Sequence, residues 1–187
     1  MGIARIDSAR VGRPAIFLDR DGTLNRAVLQ DSKSYPPGSV DDFELLPGVA
    51  QAIAALKAEG FLLIVVTNQP DVGAARQTLE VVEAMHVKLR SLLPIDDIRI
   101  CYHIEEDCCG CRKPAPGMIN DAAATWHIDL AASYMIGDRW RDVEAGRAAG
   151  CRTVFIRNDY DERQPAVSDA TVDSLCEAAD LILSRKV

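Results

Sequence analysis

No apolar run in this 187-residue chain approaches the ~20 residues needed to span a bilayer. The opening stretch MGIARIDSARVGRP has no apolar core of signal-peptide length. Both absences lead us to expect a cytoplasmic protein with no membrane partner. An excess of basic residues is lacking too: 21 Lys and Arg face 28 Asp and Glu, a formal net charge of −7. With no basic field to attract phosphate backbones, nucleic acid is not an expected partner. A few cations can still serve a small anionic ligand. There is no internal repeat and no low-complexity tract.

What is present is an ordinary globular composition, 48% hydrophobic and 26% charged, which argues against disorder and fibrous repeats. A chain of this length makes one domain whose core needs neither disulfide nor metal. We expect an arm over residues 1–14, then a single domain over 15–187. No sizeable apolar face remains once the core is assigned, so a monomer is expected. Four of the six cysteines crowd into Cys101–Cys111, with Cys151 and Cys176 alone. In a reducing compartment that clustering suggests metal before disulfides. Cys151 and Cys176 read as small core hydrophobes.

Along the chain, Ala15–Leu18 is a short apolar run that reads as a buried strand. Arg26–Asp42 is polar and holds Pro36, Pro37 and Gly38, the mark of a long loop over one end of a sheet. Pro47–Glu59 obeys the helix rules: Pro in the first turn, Val49, Ile53 and Leu56 on one face, Gly60 as the stop. Phe61–Val66 is continuously apolar, as a central parallel strand must be. Thr78–Leu92, Pro116–His127, Arg141–Ala149 and Ser174–Ser184 read as further helices. Ile98–Tyr102, Ser133–Ile136, Thr153–Ile156 and Ala170–Val172 read as strands. The alternation predicts an α/β fold, a Rossmann-like parallel sheet with helices on both faces.

Ligands of such sheets bind beyond the carboxyl ends of the strands. Three of the expected strand ends are polar: Asp19-Arg20-Asp21-Gly22, Thr67-Asn68, and Gly137-Asp138-Arg139, with Asp142 following. Cys111-Arg112-Lys113-Pro114 lies between the last two. Asp19 and Asp138 on adjacent strand ends would repel each other unless a hard cation sat between them, and Mg²⁺ suits few carboxylates plus a phosphate oxygen. Lys113 offers a compact charge for phosphoryl oxygens and Thr67 a hydroxyl donor. A carboxylate can form an acyl phosphate, and a second acid two residues on can serve the leaving oxygen and then the attacking water. Singly, each motif has a plainer reading as a turn, strand residue or helix cap. Their order and placement together point to chemistry.

Cys101-x-His103 and Cys109-x-Cys111 offer three thiolates and an imidazole, a closed tetrahedral set suited to structural Zn²⁺ over residues 101–111. Cys108 is an alternative to Cys109 as the ligand, or a spare thiol. His86 and His127, each isolated on an expected helix, read as structural or exposed.

FLDRDGTLN, VVTNQ, RKPAPGM and IGDRWRDVEAGRAAG resemble the four motifs of the haloacid dehalogenase (HAD) superfamily of aspartyl phosphotransferases, over roughly residues 15–151. The resemblance implies Asp19 as nucleophile and Asp21 as general acid and base, its backbone carbonyl helping to hold Mg²⁺. It implies Thr67 and Lys113 on the phosphoryl group, Asp138 as a metal ligand, and Asp142 as an orienting hydrogen-bond partner. A zinc loop running into Arg-Lys-Pro is similar to that of the D-glycero-D-manno-heptose 1,7-bisphosphate 7-phosphatases and of histidinol-phosphate phosphatase domains. It implies Cys109 rather than Cys108 on the zinc. These relatives lack a large cap domain, and no insertion of cap size stands after Asp21 or Thr67. The resemblance implies hydrolysis of a heptose bisphosphate 7-phosphate in lipopolysaccharide-precursor synthesis, with Asn68, Arg112 and Arg139 on the phosphorylated sugar. Histidinol phosphate hydrolysis and a non-catalytic phosphosugar-binding module are the alternatives. The chain departs from the family where Ser-Gly-Ile-x-Arg-Gly becomes Pro70-Asp71-Val72-Gly73-Ala74-Ala75, with Arg76 as the basic replacement. Ser34-Tyr35 aligns with a sugar-contacting stretch.

Overall fold

Strand β1 (Ala15–Leu18) is buried at all four positions, because it lies inside a sheet covered on both faces. It pairs in parallel with β4 (Leu62–Asn68) on one side and β6 (Tyr134–Gly137) on the other. Beyond β4 lies β5 (Asp97–Cys101); beyond β6 lie β7 (Arg152–Ile156) and β8 (Ala170–Val172). The computed structural model describes residues 12–31 and 33–187. Among them the main sheet has the order β5-β4-β1-β6-β7-β8, every pair parallel.

Side chains alternate along each strand, so two cores form. Ile16, Leu18, Leu63, Val65 and Ile136 meet α1 (Val49–Ala58), α3 (Leu79–Leu92) and α6 (Leu175–Leu183) on one face. Ala15, Phe17, Leu62, Ile64, Val66 and Met135 meet α4 (Gly117–Trp126) and α5 (Trp140–Ala149) on the other. Helix α1 buries Val49, Ala52, Ile53 and Leu56, and α6 buries Leu175, Ala178, Ala179 and Ile182. Each set follows the i, i+3, i+4, i+7 spacing of one helix face. Helix α3 buries Val82, Met85, His86 and Leu89 at the same spacing, so its stripe contains a histidine.

Three local features differ from expectation. The long loop over 26–42 contains an antiparallel hairpin, β2 (Val28–Gln30) with β3 (Lys33–Tyr35). Its strands are three residues long and mostly exposed, so they carry no apolar alternation to read. A short helix, α2 (Pro70–Gly73), follows β4. Of the expected arm, residues 1–11 lie outside those described, while Arg13 is tied down: its N–H donates to His127 O at 3.1 Å, and its carbonyl accepts from Asp129 N–H at 3.0 Å. Cys151 is buried and Cys176 half-buried against the core.

Candidate active site

The strand order reverses around β1, which leaves a crevice beyond the carboxyl ends of β1, β4 and β6. A cavity of about 190 Å³ opens there, lined by Asp19, Asp21, Thr67, Asn68, Lys113 and Asp142, and rimmed by Arg76, Arg112, Arg139 and Arg141. The hairpin contributes Ser34 and Tyr35 to its wall.

Lys113 is the hub. Its Nζ lies 2.6 Å from Asp19 Oδ1 and 2.5 Å from Asp142 Oδ1, and donates to Val66 O at 2.7 Å. Burial alone would lower the lysine pKa, but Asp142 and Asp19 outweigh it and raise it above the ordinary value. Asn68 fixes the backbone of Lys113 in both directions, accepting its N–H and donating to its carbonyl, each at 3.0 Å. The Asn68 carboxamide lines the cavity and uses one donor and one lone pair on Lys113, with a second of each left over. Asp142 Oδ2 accepts the Arg139 N–H at 2.9 Å, and a β-carbon at Gly137 would collide with the Asp142 carboxylate. Only glycine leaves room for it.

Asp138 is buried, and among the described residues no hydrogen bond of good geometry reaches its carboxylate oxygens, the Tyr160 hydroxyl being the one donor that favours its charged form. Burial, then the charges of Asp19 and Asp142, push its carboxyl well above the usual range. Carboxylate oxygens of Asp19, Asp138 and Asp142 lie within 4.8 Å of one another. One lysine cannot neutralise three buried carboxylates, so this donor set fits a hard divalent cation. At Gly22, φ is +91° and a β-carbon would run into the Asp138 carboxylate. The Asp-x-Asp-Gly turn is thus built around the acidic cluster.

Asp21 lines the same cavity and accepts four hydrogen bonds. Arg20 Nε and Nη2 reach its two oxygens at 3.2 and 2.9 Å, Asn25 Nδ2 donates at 2.9 Å and Gln69 Nε2 at 2.7 Å. Burial works to raise this carboxyl, but Arg20, Asn25 and Gln69 together hold it below the usual carboxylate value. Gln69 also donates to Thr67 Oγ1 at 2.9 Å, tying two strand-end residues together. Sequence reasoning missed Gln69, Asn25 and Arg141. Gln69 could have been found from alternation, two residues beyond Thr67.

The cysteine cluster lies next to this site, in the chain leading to Lys113. Cys101 Sγ, His103 Nδ1, Cys109 Sγ and Cys111 Sγ all fall within 4.8 Å of one another, five of the six pairs at 3.3–3.7 Å. A tetrahedron with Zn–S ~2.3 Å and Zn–N ~2.0 Å needs edges of about 3.5–3.8 Å, so the set fits zinc. Cys108, in left-handed conformation at φ 48°, is exposed and outside the cluster. Arg112 Nη1 donates to His103 O at 3.2 Å, linking the cluster to the cavity rim. Arg139 Nη2 donates to Ser34 O at 2.7 Å, and Arg139 and Arg141 share Glu162.

Over 150 residues, 74% of this chain and 80% of the relative, the sequence is 39% identical to the Rhodopseudomonas palustris protein named D-glycero-beta-D-manno-heptose-1,7-bisphosphate 7-phosphatase. The chain belongs to that HAD phosphatase family. A Salmonella typhi member of the family is 38% identical over 184 residues, 91% of this chain and 90% of its own. The HAD-hydrolase-like family profile matches residues 110–178. Among solved structures, the D,D-heptose 1.7-bisphosphate phosphatase of B. bronchiseptica, complexed with magnesium and phosphate, superposes with a TM-score of 0.80 at 31% identity. That match covers 92% of this chain and 99% of the other. The chain is a phosphoric monoester hydrolase, and the expected Rossmann-like α/β fold is the observed one.

Proposed function

We propose that the protein hydrolyses the 7-phosphate of D-glycero-D-manno-heptose 1,7-bisphosphate in the cytoplasm, as a monomer, with Mg²⁺ and through an aspartyl-phosphate. The observation that carries the reading is Asp19 held at 2.6 Å by buried Lys113 beside the buried carboxylate of Asp138, within 4.8 Å of it. Asp19 Oδ attacks phosphorus as the bond to the sugar oxygen breaks. Asp21, which rests ionised among four donors, exchanges one of them for a proton before it delivers that proton to the sugar oxygen. Asp21 then takes a proton from the water that attacks the acyl phosphate, releasing inorganic phosphate and restoring Asp19. Lys113 and Thr67 face the phosphoryl oxygens, where developing charge needs fixed donors. The Asp19 and Asp138 carboxylates and the Asp21 backbone carbonyl would hold Mg²⁺, which when bound supplies positive charge to the phosphoryl oxygens. Cys101, His103, Cys109 and Cys111 would hold a structural Zn²⁺.

Arg112 and Arg139 on the cavity rim support a doubly phosphorylated substrate, since a planar guanidinium suits bidentate phosphate recognition. Asn68 serves that substrate by fixing Lys113. The test is kcat/KM for heptose 1,7-bisphosphate against histidinol phosphate, side by side with Mg²⁺. We expect a preference of about a hundredfold for the bisphosphate, or about 2.7 kcal/mol. Preference for histidinol phosphate would overturn the substrate, and an inert, folded protein would overturn catalysis.

A further inference from the structure

Helix α3 packs on the sheet face opposite α4 and α5, and its buried stripe should be wholly apolar. Val82, Met85 and Leu89 are, but His86 sits among them, 3% exposed. A polar ring in that stripe costs stability unless it is paired. Its partner is Arg20, the residue between the two carboxylates of the Asp-x-Asp motif. Arg20 is fully buried, its guanidinium 6.0 Å from the centre of the Phe43 ring. Nη1 of Arg20 lies 2.9 Å from His86 Nε2. A guanidinium only donates, so Nε2 accepts and the imidazole is neutral with its proton on Nδ1. That nitrogen lies 3.8 Å from Glu83 Oε1, which also accepts from the Tyr102 hydroxyl at 2.5 Å.

The other edge of the same guanidinium grips Asp21 with Nε and Nη2, one nitrogen to each oxygen. A planar fork holding both oxygens fixes the plane of the carboxylate, which a single point charge cannot do. We infer that Arg20, held from behind by His86, is the positioning group for the Asp21 carboxylate. This rests on the reading of Asp21 as general acid and base. A group that must hand a proton to one oxygen and take it from another depends on its placement to within an ångström. His86 never touches the cavity, and it acts only through Arg20.

The test is a double-mutant cycle between His86→Phe and Asp21→Asn, read as steady-state kcat and KM with Mg²⁺ and heptose bisphosphate. In the wild-type background His86→Phe should lower kcat about tenfold with KM little changed, and His86→Gln, whose amide oxygen can accept the same bond, should recover most of it. In the Asp21→Asn background His86→Phe should change the residual rate less than about twofold. Where Phe is not accommodated, Arg20→Lys, which keeps the charge and loses the fork, runs the same cycle. Equal losses in both backgrounds would show a structural role and overturn the inference. If Asp21→Asn alone kept the wild-type rate, the reading of Asp21 would fail instead, a result distinct from the first.

Discussion

Asp138 carries two carboxylate oxygens into the interior, where the Tyr160 hydroxyl favours its charge and no hydrogen bond of good geometry reaches it among the described residues. With Asp19 and Asp142 it forms a cluster that Lys113 only partly neutralises. Such repulsion is stored at the site because the cluster is shaped for something other than the empty fold. Asp138→Asn should therefore raise the stability of the metal-free protein by about 1–2 kcal/mol. It should also lower kcat by about a thousandfold. Thermal melts in chelator, set beside turnover with Mg²⁺, check both halves. The polar residues at the strand ends were legible because a carboxylate or hydroxyl directly after an apolar run breaks the pattern. The Asp21–Gln69 and Arg20–His86 partnerships were not, because they join positions 48 and 66 residues apart.

At the scale of elements, the loop from Cys101 to Lys113 has little apolar packing of its own. Among the four residues of its Cys/His cluster only Cys101 is buried. Its one stretch of regular backbone is a single 3₁₀ turn, Glu105–Asp107. A bound metal would supply the rigidity that burial does not. Cys109→Ser should remove zinc, lower the melting temperature and cut kcat by about tenfold or more by loosening Lys113. Cys108→Ser should leave the zinc content at one per chain. Metal analysis of the purified variants separates the two outcomes. The choice between Cys108 and Cys109 was open in the sequence, where both thiols are adjacent. The backbone turn at Cys108 points that thiol out of the cluster. The hairpin was hidden for a different reason: three-residue polar strands look like loop, and only their pairing makes them strands.

At the scale of the whole molecule, a chain of net charge −7 gathers Arg76, Arg112, Arg139 and Arg141 at one cavity mouth. Arg76 is paired there with Asp71, and Arg139 and Arg141 with Glu162, which leaves Arg112 as the rim guanidinium without an acidic partner among the described residues. The same economy of buried charge sets the pH response of the fold. Burial first, then the charge of Arg20, lower the His86 pKa from 6.5 to about 4. Between those values the unfolded chain binds a proton that the folded protein rejects. The contribution is complete above pH 6.5 and is lost as the pH falls toward 4. It amounts to up to about 3 kcal/mol. Urea unfolding of wild type and His86→Gln from pH 7 down to 4.5 should show the wild type losing stability faster. Parallel curves would contradict the assignment.

The sequence by itself determined the fold class, the position of nearly every strand and helix, and which residue types stand at the sheet's carboxyl ends. Those properties follow from local periodicities of two and 3.6 residues and from motif order, which the chain carries without folding. Only the tertiary structure decided which donors hold Asp21, that Asn68 pairs with the Lys113 backbone, and that His86 answers to Arg20. Each of these depends on the direction of a side chain after helices and strands have packed. That direction is set by neighbours distant in sequence, and no local pattern encodes it.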